Sequence, residues 1–209
     1  VLGVADRGEE AGAPVSEIRN IASHSVDVSR LRGFGRGYVL DAGCRGFEFA
    51  RLMADLGEMV VAIDPDPEVA AEWQPIAGVC FRPLGLSVTE GSDQLRLMDN
   101  PEMRHLASVG YPQWSATRSV DVSTTTLTAL GQLFYVPRWD VVKLDIEGAE
   151  YEILRTWPGP IADQITVEFH EHLAPRPKAL YEEIYAPLAT WYLVAHDVPG
   201  DTLFVRRPG

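Results

Sequence analysis

Four side chains at two places in the chain have the right chemistry to handle a proton or a cation. Asp145 and Glu147 stand two residues apart in WDVVKLDIEGAEYEIL (139–154), and Glu168 and His170 do so in ITVEFHEH (165–172). Carboxylates beside an imidazole can take the proton from a nucleophile, and the imidazole has the ordinary pKa nearest neutrality. The same four groups can instead hold a divalent cation that lowers the pKa of a bound hydroxyl. A plainer reading stands beside both. Glu147 and Glu150 sit where acids complement the dipole of a helix start, and a histidine at a strand end is often structural. Lys143 lies inside an apolar run, where its charge is costly unless it meets a carboxylate. Asp145 or Glu150 is the expected partner.

A second set lies earlier, in Asp41-Ala42-Gly43-Cys44-Arg45-Gly46 and in Asp64-Pro65-Asp66-Pro67. The first follows a short apolar run, Tyr38 to Leu40, and precedes an amphipathic helix with Phe49, Leu52, Met53 and Leu56 on one face and Gly57 as its stop. The second closes the strand Met59 to Ile63. This βαβ unit has a Gly-rich first turn and an acid at the end of its second strand. A dinucleotide needs G-x-G-x-x-G, so that bare amides meet the pyrophosphate. The spacing here is Gly43-x-x-Gly46, with Asp41 placed to repel one. S-adenosylmethionine has no phosphate; it offers an ammonium, a sulfonium and a ribose diol. Asp41 near the cationic methionyl end and Asp64 on the diol suit it, which leaves a NAD-linked oxidoreductase as the disfavoured alternative.

Elements must then carry these residues to one place. Val141, Val142, Leu144 and Ile146 read as a strand buried on both faces, as in a parallel sheet. It turns at Glu147-Gly148 into a helix, with Ala149, Ile153, Leu154 and Trp157 at helical spacing. Carboxylates thus fall at the C-terminal edge of a sheet, where open α/β folds bind ligands. Ile161 to Phe169 is a further strand, whose period of two puts Glu168 and His170 on one face. Val79 to Arg82 is a third strand of the first unit. Residues 84–88 and 94–97 are expected to form a hairpin around Gly91-Ser92.

Residues 98–121 read as an irregular loop, either a lid carrying Tyr111, Trp114 and Arg118 or a surface excursion. A helix over Thr124 to Phe134 follows. Near the end come a helix with Leu180, Tyr181, Ile184, Tyr185 and Leu188, and a closing hairpin of 191–195 with 202–205. At the start, Val15, Ile18 and Ala22 suggest a short cap helix, dividing the chain into an arm with that helix (1–36) and a main domain (37–209).

The 209 residues are 46% hydrophobic, enough for one domain with a sizeable core. A net charge of −12 without any basic run argues against nucleic acid and membrane surfaces as partners. Cys44 and Cys80 have no metal-ligand spacing and suggest no disulfide framework, which fits a reducing, cytoplasmic setting. No stretch approaches the roughly 20 apolar residues of a membrane span, and residues 1–14 lack the layout of a signal peptide.

VLDAGCRGFEFA, VVAIDPDP, RPLGLS, TTTLTAL, DVVKLDIEGAEYEIL and ITVEFHEH occur in that order. Together they resemble the FkbM family of S-adenosylmethionine-dependent methyltransferases. Lys143, Asp145, Glu147, Gly148, Ala149 and Glu150 match that family's signature. The resemblance implies a class I, Rossmann-like α/β fold: a doubly wound, mostly parallel sheet with a C-terminal antiparallel strand. It implies methylation of a hydroxyl on a small molecule, such as a sugar or natural product. Asp41, Gly43, Cys44, Gly46, Asp64 and Ser87 would bind the cofactor; His170, Asp145, Glu147 and Glu168 would be catalytic. Phe47 stands where the family usually has a second glycine, so the turn is expected to follow a different path. Thr128 stands where it usually has an aspartate. A non-catalytic binding module of the same fold is the alternative, and no oligomeric state is implied.

Overall fold

The structure, a computed structural model, describes residues 16–33, 35–100, 104–109, 116, 118–170 and 178–208, with the backbone alone for 178–181. Val15, Tyr111, Trp114 and the side chains of Leu180 and Tyr181 lie outside that description. The chain opens on β1 (Ile18–Ile21) and β2 (His24–Asp27), an antiparallel hairpin. The cap helix expected here is not formed. Ala22 and Ser23 take φ of 47° and 70°, the left-handed pair that a two-residue hairpin turn requires. Neither residue type advertises such a turn. The hairpin is tied down in the interior: Asp27 N–H donates to Gln164 Oε1 (2.8 Å), and Gln164 Nε2 donates back to the Asp27 carbonyl (3.1 Å).

The main unit begins with β3 (Tyr38–Ala42), α1 (Glu48–Asp55), β4 (Met59–Ile63), α2 (Pro67–Glu72) and β5 (Val79–Arg82). A smaller sheet follows, from β6 (Gly85–Leu86), β7 (Gly91–Leu97), β8 (His105–Leu106) and β9 (Arg118–Thr125). The chain then runs α3 (Leu127–Leu133), β10 (Trp139–Leu144), α4 (Glu150–Arg155), β11 (Ala162–Val167), α5 (Lys178–Leu188), β12 (Tyr192–Val198) and β13 (Asp201–Arg206).

Seven strands make a mixed sheet in the order β12-β13-β11-β10-β3-β4-β5. The five from β11 to β5 are mutually parallel, and β13 runs antiparallel to both β11 and β12. From the central pair β3 and β10, the chain builds outward to β4 and β5 on one side and to β11 on the other. One face is covered by α1, α2 and the hairpin through Phe49, Met53, Val69, Ile21 and Val26. The other is covered by α3, α4 and α5 through Leu127, Leu130, Leu154, Ile184 and Leu188. Within α1 the inward face is Phe49, Ala50 and Met53, while the expected Leu52 and Leu56 stay half-exposed.

The smaller sheet, ordered β6-β9-β7-β8, replaces the expected hairpin of 84–88 with 94–97. β6 pairs in parallel with Thr124 and Thr125 of β9, and β7 pairs antiparallel with β9 from Gly91↔Thr124 to Leu97↔Arg118. Gly91 opens a strand rather than turning one. Arg118 to Asp121, expected in an irregular loop, are therefore strand, with Val120 and Val122 packed on Leu95, Leu97 and Leu106. No helix among the described residues is long and apolar enough to cross a membrane.

Candidate active site

The ends of β3, β4, β10 and β11 open on a cavity of about 400 Å³. Gly43 (φ 80°), Gly46 (φ 76°) and Phe47 (φ 56°) shape the turn after β3. Gly43 is required there, because a Cβ would fall 1.7 Å from the Asp145 carbonyl oxygen. The different path expected from Phe47 has a simple local form. Phe47 takes the left-handed conformation that a glycine adopts freely, at a cost of about 1–2 kcal/mol for a residue with a side chain. Its buried ring packs between Trp73 and Phe81, with centroids at 4.8 and 5.3 Å, and holds the backbone in that state.

Under this turn, buried Lys143 lies 3.0 Å from Asp41 Oδ1 and 3.2 Å from Asp145 Oδ2, and donates to the Gly43 carbonyl at 2.8 Å. Asp145, expected as a partner, is joined by Asp41; Glu150 is engaged elsewhere. Burial alone would lower the ammonium's pKa, but the two carboxylates raise it. Burial alone would raise Asp145, but Lys143 and the flanking histidines hold its carboxyl well below the usual range. Asp41 is fully buried behind this ion pair and does not line the cavity.

Asp64, at the end of β4, does line it. Burial pushes its carboxyl up to about 6, against the Asp66 N–H that it accepts at 2.9 Å. Asp66 beside it caps α2 through the Glu68 N–H (2.9 Å) and pairs with Arg45 and Arg104. Arg45 and Arg104 also line the cavity. Arg104 falls within the stretch read as an irregular loop, so nothing in the sequence marked it.

The four residues expected to be catalytic meet at the opposite wall, since Asp145, Glu147, Glu168 and His170 all line the cavity. Strand β11 ends at Val167, so Glu168 and His170 sit on the loop beyond it rather than on one strand face. His172 lies outside the described residues. Glu147 has φ 53°, rare for a residue with a side chain, and its buried Oε2 makes no hydrogen bond. Burial pushes its carboxyl up to about 8; His170 opposes the shift, and Asp145, Glu150 and Glu168 add to it. Burial likewise raises Glu168, with Asp145 adding to it.

Glu150 proves to be more than a helix-dipole residue. It is fully buried, accepts the N–H groups of Gly148 (2.8 Å) and His170 (3.2 Å), and lies 3.1 Å from His170 Nδ1. His170 Nε2 points to Asp145 Oδ1 (3.5 Å) and Glu147 Oε2 (3.6 Å). Burial would lower this histidine's pKa, yet Glu150, Glu147 and Asp145 raise it to about 9. At neutral pH the ring is therefore an imidazolium.

Of the residues expected to bind the cofactor, Gly43 and Asp64 line the cavity, and Asp41, Cys44, Gly46 and Ser87 do not. Cys44 is buried, and burial pushes its thiol up. Ser87 follows β6 and donates its N–H to the Thr125 carbonyl (2.9 Å), next to Gly85 and Leu86, which do line the cavity. Thr128 is exposed in α3, and the structure gives no functional reason for it. His24 was missed entirely. The hairpin brings its buried ring to within 3.6 Å of Asp145 Oδ2, and only recognition of that hairpin would have revealed it.

A crevice where a sheet reverses its strand order, lined here by acids together with Arg45 and Arg104, is where open α/β folds hold their ligands. The chain belongs to the FkbM methyltransferase family, whose domain matches residues 42–190, more than half of its length. Comparison with curated proteins gave no match.

Proposed function

We propose that this chain is an S-adenosylmethionine-dependent O-methyltransferase of class I, with the doubly wound, Rossmann-like arrangement, acting on a hydroxyl group of a small molecule. One observation carries the reading: the strand reversal between β3 and β10 brings the Asp64 edge and the Asp145–Glu147–Glu168–His170 wall into one cavity. The residues present suit the cofactor. Asp64 offers a carboxylate to a ribose diol, Gly43 allows close approach at the turn, and the acidic wall favours a cationic ligand. When bound, S-adenosylmethionine supplies an electrophilic methyl group carried on a sulfonium.

The chain's own groups do the rest. The cavity walls hold the acceptor oxygen near attack distance, which is where most of the rate enhancement in such a displacement arises. Glu147 takes the hydroxyl proton once it is ionised, which its raised carboxyl reaches near pH 8; it lines the cavity from a strained backbone, with His170 Nε2 3.6 Å from its Oε2. His170, held as an imidazolium by Glu150, fixes the positions of Asp145 and Glu147. Asp41 and Cys44 act from behind, through Lys143 and the packing of the turn. Free Cys44 and Cys80 suit a reducing, cytoplasmic setting.

A thermal-shift comparison tests this reading against a NAD-linked enzyme and against a module that binds without chemistry. S-adenosylmethionine and S-adenosylhomocysteine should raise the melting temperature and NAD should not, because a ligand that binds only the folded state stabilises it. A shift with NAD alone would overturn the cofactor assignment. Cofactor binding without methyl transfer to any hydroxyl-bearing panel would favour the binding module.

A further inference from the structure

We propose that the acceptor side of the cavity binds a divalent transition-metal ion between His24 Nε2, Asp145 and Glu168. His24 is 2% exposed. Its Nδ1 has no hydrogen-bond partner, and its Nε2 lies 3.6 Å from Asp145 Oδ2, beyond hydrogen-bonding distance. Buried polar groups are almost always satisfied, so the orphaned Nδ1 is best placed to carry the ring proton toward Asp201, which leaves the Nε2 lone pair facing Asp145. A cation coordinated at Nε2 takes up that lone pair.

The surroundings are built for it. Ligand atoms of His24, Asp145 and Glu168 all lie within 4.8 Å of one another. An ion with bonds of about 2.0–2.2 Å separates its ligand atoms by roughly 3.0–3.5 Å, so small side-chain rotations close the set. Behind the ring, Asp201 Oδ1 stands 4.0 Å from Nδ1, on the side where metal-bound histidines keep a carboxylate. Lys143, 3.2 Å from Asp145 Oδ2, orients the shared carboxylate, while His170 faces its other oxygen. One imidazole with two carboxylates favours Mn²⁺, Co²⁺ or Zn²⁺ over Ca²⁺, which prefers oxygen alone.

The hairpin is what completes the set. His24 precedes the residues matched to the family, 42–190. It reaches the ends of β10 and β11 because Gln164 holds Asp27 and because the Ser25 N–H donates to Asp201 Oδ2 at 3.0 Å. Three protein ligands leave positions for an acceptor hydroxyl, whose pKa the ion lowers so that Glu147 removes the proton more easily. That catalytic use rests on the methyl-transfer reading; ion binding does not.

Calorimetric titration of the EDTA-treated full chain with MnCl₂, without S-adenosylmethionine, tests the binding. One ion per chain is expected, and CoCl₂ should give visible d–d absorption. Glu168→Gln, at a half-buried position, and His24→Ala should each weaken Mn²⁺ binding at least tenfold while the circular dichroism stays native. No binding at millimolar Mn²⁺, Co²⁺ and Zn²⁺ overturns the proposal. So does unchanged affinity in folded Glu168→Gln, or binding lost in His170→Ala but kept in His24→Ala. Ion binding without a cofactor-induced thermal shift would count against methyl transfer alone.

Discussion

Glu147 concentrates the chemistry of this molecule in one residue. Its backbone is left-handed, its carboxyl is pushed up by burial, and its Oε2 makes no hydrogen bond. Such a combination costs stability and persists where function uses it. Glu147→Gln keeps the shape and removes the base. The expected result is a fall in kcat of about 100-fold or more, with S-adenosylmethionine affinity unchanged by calorimetry. Lys143 makes the complementary case for structure. Lys143→Met would leave fully buried Asp41, and part-buried Asp145 beside it, without their cation, at a cost of roughly 3–5 kcal/mol, read as a lower urea midpoint. The double variant Lys143→Met/Asp41→Asn should recover part of that loss. The need of Lys143 for an acid was legible in the sequence. That Asp41 shares it was not, because the pairing comes from the register of β10 on β3, where Lys143 lies opposite Asp41.

At the scale of elements, what could be read depended on how local the signal was. Strands β3, β4 and β10 are apolar runs with acids at their ends, and the helices after them have clear apolar stripes; these stood out. The hairpin β1–β2 did not, because Ala22-Ser23 is an uninformative turn and Ile18 with Ala22 mimics a helical repeat. The smaller sheet was misread because β7 pairs with β9, across a long connection, and with β8, rather than with β6. Phe47 lies between these cases. The departure from glycine was visible, but whether backbone or side chain would yield was decided by Trp73 and Phe81. Phe47→Gly should therefore destabilise the protein. Losing the buried ring costs about 3–5 kcal/mol, and relief of the left-handed strain returns about 1–2 kcal/mol. A net gain in melting temperature would mean that the ring contributes little.

The whole molecule sets two acidic groups on opposite sides of one cavity and gives them different tasks, so their variants should separate cleanly. Asp64→Asn should raise the Kd for S-adenosylmethionine and leave kcat at saturation nearly unchanged, the reverse of Glu147→Gln. The pH dependence follows from burial. Asp64 is pushed up to about 6, so it gains a proton as pH falls through that value and no longer accepts from a ribose diol. Cofactor affinity should therefore weaken below about pH 6. The effect on folding has the opposite sign. A carboxyl whose folded pKa is raised is easier to bury neutral, so its contribution to stability is fully present below its ordinary value near 3.8 and is lost as pH rises through about 6. Calorimetry from pH 5 to pH 7, below the range in which Glu147 ionises, on wild type and Asp64→Asn should thus show a pH-dependent Kd only in the wild type. A parallel slope in both would move the titrating group elsewhere in the cavity.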